Sequence, residues 1–350
     1  MSTLAQRYAR TISADSIEQG VVPFDLYATD RNNRLVLFCR SGFELTEHHK
    51  KLLRGTNRLF YISSDDMDSY YDYAFEHLNR LVANWRISNE EKAKIVHGVG
   101  KRIIQRLLSE PRNGNAVKHS KRFIESHTDL ILSSANAAGC LFAISSTDAY
   151  AFSHHINVAT FCLLLGKKLL GNERDKLVLL GLGGLLHDIG LTQIDPGLIN
   201  REGPLTDKEY ETVQVHPVLG YKIARAHGLP EEVQLMVKCH HERYDGSGYP
   251  DGLKGEEIHP FARIVAAAEI YDAITSDRNY GKMKESVPAL IEMSTDVNWF
   301  APDVFEALLQ IVLRNEELIE KFSRSGLVAR PLRNVKMNGD VVSGKGNRPL

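Results

Sequence analysis

Two short stretches limit what this chain can fold into. Leu185-Leu186-His187-Asp188-Ile189-Gly190 and His240-His241-Glu242-Arg243-Tyr244-Asp245-Gly246-Ser247-Gly248-Tyr249-Pro250 each place imidazole and carboxylate groups at the end of a segment with apolar helical periodicity. His154-His155 and His216 fall in the same span. Burying such groups is costly unless something offsets their lost hydration. A divalent cation does so, and a mixed His/Asp donor set suits Fe, Mn, Ni or Zn. Neighbouring helical residues project about 100° apart, so His187 and Asp188 can hold one ion from two sides, or Asp188 can bridge two. His240-His241 repeats the arrangement. Two ions roughly 3.5–4 Å apart are a standard device for phosphoester hydrolysis. The residues therefore favour a phosphate ester over redox chemistry.

A length of 350 residues favours two domains, and 43% hydrophobic content supports a sizeable core. The 43 basic and 44 acidic residues nearly cancel, leaving no global electrostatic case for a nucleic-acid polymer or a membrane surface. Cys39, Cys140, Cys162 and Cys239 form no CxxC pair. The last three sit in apolar helical contexts and read as buried free thiols. The first residues lack the apolar core of a signal peptide, and no apolar run approaches about 18 residues. A soluble, cytoplasmic protein without a membrane span is expected.

Taken in order, residues 1–20 are polar and carry little signal. Segments 23–28 and 35–39 read as strands joined through the turn-rich residues 30–34, which makes a hairpin. Thr46 is a good N-cap for a short helix. A third strand covers 59–62, and His48-His49 reads as a solvated pair. Ser63 to Asp66 cap a helix beginning near Met67. Amphipathic helices run from there to about Ser146, broken at 111–115; they read as packing helices, with a signal-carrying or dimer role as the other option. The region from Thr147 to about Phe322 is almost entirely helical, with Thr206 as one N-cap. Gly246 and Gly248 allow close backbone approach around Tyr249, read as an exposed platform held before Pro250. The final residues are rich in Gly, Asn, Lys, Arg and Pro and read as disordered.

Leu186-His187-Asp188-Ile189-Gly190, His216-Pro217, the His240 to Pro250 element and Asp272-Ala273-Ile274-Thr275-Ser276-Asp277-Arg278-Asn279-Tyr280 together resemble the HD-GYP family, a branch of the HD-domain metal-dependent phosphohydrolases. Residues 200–206 and 252–258 match as well, so the resemblance covers about 147–315. It implies a mainly α fold: an HD-type helical bundle at 147–325, preceded by a small mixed α/β regulatory module at 1–66 and a helical linker at 67–146. Residues 326–350 form the tail. It further implies hydrolysis of cyclic di-GMP to pGpG or GMP at a bi- or trinuclear site, often iron. Carried over by position, the metal ligands are His154, His187, Asp188, His216, His240, His241 and Glu269, with Asp188 bridging; His155 stands as the alternative to His154. His187 and Asp188 lie at the reacting centre. Tyr249, Arg278 and Asp272 are assigned to substrate. A GGDEF-domain partner and a homodimer are compatible with such a protein.

Four positions depart from the family pattern. Leu191 stands where a lysine usually follows, Glu269 where an aspartate does, Tyr150 where trinuclear members carry glutamate, and Gly281 where a basic residue is common. The third departure implies two metals. The others favour a second reading, a signalling protein that binds cyclic di-GMP or a partner with little catalysis. A third reading, an HD hydrolase of another nucleotide, is disfavoured by the glycine-tyrosine-proline loop.

Overall fold

The computed structural model describes residues 8–29, 34–55, 60–145, 153–199, 201, 203–276 and 286–313. The expected tail, Tyr150, Arg278 and Gly281 lie outside them.

The first part is a small mixed module. Strands β1 (Tyr8–Ile12), β2 (Gly20–Val22), β3 (Leu26–Thr29), β4 (Leu35–Cys39) and β5 (Phe43–Leu45) precede helix α1 (Glu47–Gly55) and strand β6 (Phe60–Ser63). Four strands form an antiparallel sheet in the order β1-β6-β3-β4, and β2 pairs with β5. The hairpin is β3–β4, with Ala28 opposite Val36. Thr46 caps α1, its Oγ1 accepting the His49 N–H at 3.3 Å. Residues 1–20, which carry little periodicity, nevertheless supply β1. Strand pairing across more than forty positions decides that, and local propensity does not report it.

Five helices follow: α2 (Met67–Glu76), α3 (Leu78–Ala83), α4 (Asn89–Ser109), α5 (Gly114–Ser133) and α6 (Ala135–Ser145). Ser88 and Asn113 cap α4 and α5 through side-chain oxygens, which places the break at Pro111 as read from the sequence. The bundle continues with α7 (Ser153–Leu170), α8 (Arg174–Leu186), α9 (Pro196–Ile199), α10 (Asp207–Val213), α11 (His216–Ala226), α12 (Glu231–Cys239), α13 (Pro260–Thr275), α14 (Ser286–Thr295) and α15 (Pro302–Leu313). Thr206 and Glu209 form a reciprocal capping box on α10. The fold is mainly α, as expected.

Two contacts set the spacing of the bundle. A Cβ on Gly184 would lie 2.8 Å from Cys162 Sγ and 3.2 Å from Ala159 Cα, so glycine is what lets α8 lie close on α7. A Cβ on Gly190 would lie 1.9 Å from the His216 carbonyl oxygen. The turn at Ile189–Gln193 therefore presses directly on the start of α11. Around these contacts one apolar core runs from Ile12 to Leu313 without a break. Each fully buried side chain in it, such as Phe161 or Leu165, contributes about 1.5–3 kcal/mol. Cys39, Cys162 and Cys239 are buried and free, whereas Cys140 is half-buried. No described helix is long and apolar enough to cross a membrane.

Candidate metal centre

Helix ends build the centre. His154 is the second residue of α7; His187 follows the last residue of α8; His216 opens α11; His240 follows the last residue of α12. The carbonyls of a helix's final turn have no helical N–H partner, and here imidazoles use them. His187 Nδ1 donates to the Gly184 carbonyl at 2.8 Å, and His240 Nδ1 to the Val237 carbonyl at 2.9 Å. His216 Nδ1 donates to the Val213 carbonyl at 2.8 Å, at the end of α10. His154 Nδ1 donates to Asp272 Oδ2 at 2.7 Å. Carbonyls and carboxylates only accept, so the proton of each neutral ring sits on Nδ1 and every Nε2 presents a lone pair.

Those lone pairs converge. His154 Nε2 and His187 Nε2 are 3.2 Å apart, and so are His216 Nε2 and His240 Nε2. The Asp188 carboxylate lies between the two pairs. Its Oδ2 is 3.2 Å from His187 Nε2 and 3.7 Å from His154 Nε2. Its Oδ1 is 3.1 Å from His216 Nε2 and 3.4 Å from His240 Nε2. Burial raises Asp188, whereas the imidazoles around it, His187 foremost, would hold the carboxyl well below the ordinary range when protonated. Burial pushes His240 down to about 4, so its ring is neutral at pH 7.

A set of lone pairs facing a carboxylate is repulsive unless a cation lies among them, and Asp188 Oδ1 is buried with no hydrogen-bond donor. The donor set therefore fits divalent metal. Among the described residues, two groups could hold an ion: His154, His187 and Asp188, and Asp188, His216, His240 and His241, the donor atoms of each lying within 4.8 Å of one another. Asp188 is common to both. Of the two first-histidine candidates, His154 joins a group and His155 does not. His155 is buried behind His187, its ring centroid 5.5 Å away and its Nδ1 without a partner.

Two expected site residues have surroundings that the sequence does not report. Asp272, expected at the substrate, has no solvent exposure; it accepts from His154 and from the Ser276 hydroxyl at 3.0 Å. It lies one helical turn from Glu269 on α13, and that spacing was the available signal for a paired role. Tyr249, expected as an exposed platform, is half-buried and lies flat on His241, with centroids 4.6 Å apart and planes at 23°. Burial, then the nearby Glu269, pushes its hydroxyl far above the tyrosine range, so it stays protonated. Glu269 is buried with Oε2 3.8 Å from His241 Nδ1, outside both donor groups.

The loop is held by a residue the sequence left without a role. Glu242 accepts from the Asp251 N–H at 2.8 Å and the Leu253 N–H at 3.0 Å, closing the chain around Tyr249. Gly248 passes so close that a Cβ would lie 2.3 Å from Arg243 N. Gly246 takes a positive φ of 87°. Sequence reading also gave no part to Trp299, whose ring lies under the Arg243 guanidinium with Cζ 3.5 Å from the centroid.

Residues 141–304 match the family described as HD domain. Over these residues the chain is similar to the HD domain family. The chain is 33% identical over 237 residues to the cyclic di-GMP phosphodiesterase PA4108 of Pseudomonas aeruginosa, covering 65% of this chain and 56% of that protein. It is 30% identical over 166 residues to the 3′3′-cGAMP-specific phosphodiesterase 3 of Vibrio cholerae, covering 47% and 36% respectively. The chain thus spans about half or less of the length of these relatives. Its fold is similar to that of Bd1817, an HDG"Y"P protein from Bdellovibrio bacteriovorus, with a TM-score of 0.61 and 21% identity over 87% of this chain and 99% of that one.

Proposed function

We propose that this chain is a divalent-metal-dependent hydrolase of cyclic di-GMP in second-messenger signalling. The observation that carries the reading is the Asp188 carboxylate set between two pairs of Nε2 lone pairs. One ion falls to His154, His187 and Asp188; a second falls to Asp188, His216, His240 and His241, with Glu269 beside it. The imidazole-rich set favours iron, with Mn, Ni or Zn as substitutes. When bound, such a pair activates water and neutralises phosphoryl oxygens.

The chain's own contribution is preorganisation. Last-turn carbonyls and Asp272 keep the protons on Nδ1, so the donors need no rearrangement. A cation among the donors would keep Asp188 ionised at neutral pH. Tyr249 covers His241 and excludes water from one side of the cleft while retaining its proton. The buried free thiols support a reducing compartment.

The test is anaerobic purification with elemental analysis, then incubation with cyclic di-GMP and chromatography. Two metals per chain and the appearance of pGpG or GMP are expected; a metal-free chain that leaves the nucleotide intact would end this reading. A second reading, a binder with little catalysis, is favoured by the place of Glu269 outside both donor groups. Metal and nucleotide both bound, with no product, would select it.

A further inference from the structure

The cleft beside the second donor group is lined by Tyr210, His241, Arg243, Tyr249, Glu269 and Trp299, among others. Arg243 is the cation in that lining. Its guanidinium lies flat on Trp299, 3.5 Å from the ring centroid, and the Tyr244 N–H donates to the Trp299 carbonyl at 2.9 Å, so loop and ring are tied together. A guanidinium has five N–H donors. Among the described residues, none accepts a hydrogen bond from them or pairs with the charge. Arg243 is half-buried and close enough to lower the Tyr249 hydroxyl pKa against its other neighbours. A flattened, half-buried fork with unspent donors is built to meet two coplanar acceptors. The free space in the cleft, about 70 Å³, holds two or three waters. It admits the edge of a planar ring and not a whole nucleotide.

We propose that Arg243, held by Trp299, reads the O6/N7 edge of one guanine of a cyclic dinucleotide, and so is the residue that sets base specificity. This rests on the function proposed above. Guanine presents two acceptors on that edge, whereas adenine presents an acceptor and an amino donor, which would face the guanidinium donors. A single fork reads a single base. One guanine therefore suffices, and cyclic di-GMP and 3′3′-cGAMP both bind in preference to cyclic di-AMP.

The test is equilibrium binding of these three nucleotides to the metal-loaded chain, alongside Arg243→Met, Arg243→Lys and Trp299→Leu. The first two nucleotides should bind about tenfold or more tighter than cyclic di-AMP. Arg243→Met should bring that ratio within about threefold, and Arg243→Lys, a point charge without the fork, should not restore it. Trp299→Leu, which removes the platform and leaves every donor, should lower the ratio partway; it reads the same property if Arg243→Met fails to fold. Equal affinity for all three in the wild type, an unchanged ratio in Arg243→Met, or full rescue by lysine would overturn the assignment and leave the proposed function standing. Binding of none of the three would remove both.

Discussion

Two groups of buried histidines in this molecule are alike in burial and opposite in chemistry. His97 on α4 and His127 on α5 are as enclosed as His187, His216 and His240. In the helical layer, His97 Nε2 donates to Asn157 Oδ1 at 3.3 Å. The Thr160 hydroxyl gives its proton to the Ile156 carbonyl at 2.8 Å, so it accepts from His127 Nε2 at 3.3 Å. The proton there is on Nε2, and each ring faces a neutral oxygen. In His154, His187, His216 and His240 the proton is on Nδ1 and each Nε2 faces Asp188. Burial of a histidine does not mark a ligand; which nitrogen a neighbouring carbonyl occupies does.

The sharpest way to break that contrast is Asp188→Asn. It keeps the shape and removes the charge that both imidazole pairs share. Metal content should fall toward zero by elemental analysis, and hydrolysis of cyclic di-GMP by about a thousandfold or more, since several kcal/mol of stabilisation of developing charge depends on the ions. A variant that retains two metals per chain would show that the convergence on Asp188 is not what holds them.

Asp272→Asn comes next. An amide can still accept from His154, so the ring keeps its place while the carboxylate's charge is lost. Metal affinity, read by competition with a chelator, should weaken about 10–100-fold. An unchanged affinity would return Asp272 to the substrate role first expected of it. Glu269→Asp should have a smaller effect, within a few-fold. The shorter side chain keeps the charge on α13, and activity should be maintained or should rise if the carboxylate ligates; complete loss would count against that placement.

The candidate donor residues are legible because they break a pattern: His187-Asp188 and His240-His241 interrupt apolar periodicity, and nothing in a helix core calls for two such groups together. What was not legible depends on contacts between distant elements. Asp272 meets His154 across 118 positions, and Trp299 lies under Arg243, on a different element of the chain. Strand β1 is missed for the same reason, since its pairing partner β6 lies at the far end of the module. Tyr249 was placed correctly in the chain but oriented wrongly: Gly and Pro around it read as an exposed turn, whereas stacking on His241 buries the ring.

His127→Leu is the mildest substitution and the best probe of the other half of the comparison. His127 Nδ1 is buried without a partner, and Thr160 keeps its bond to Ile156 when the ring is lost. Removing an unpartnered polar atom offsets the lost hydrogen bond, so stability at pH 7 should change by no more than about 1 kcal/mol, with metal content unchanged. The pH dependence sharpens this. Burial, and then the nearby His97, push His127 down to about 3 from an ordinary value near 6.5. Between those values the unfolded chain binds a proton that the native chain refuses, so the residue's stability is complete above about 6.5 and drains as pH falls toward 3. The melting temperature of His127→Leu should therefore decline less steeply than that of the wild type between pH 7 and 4.5. A variant that loses metal, or that becomes more acid-sensitive, would mean that the two groups of histidines are not separate in their chemistry, and that the helical layer takes part in holding the ions.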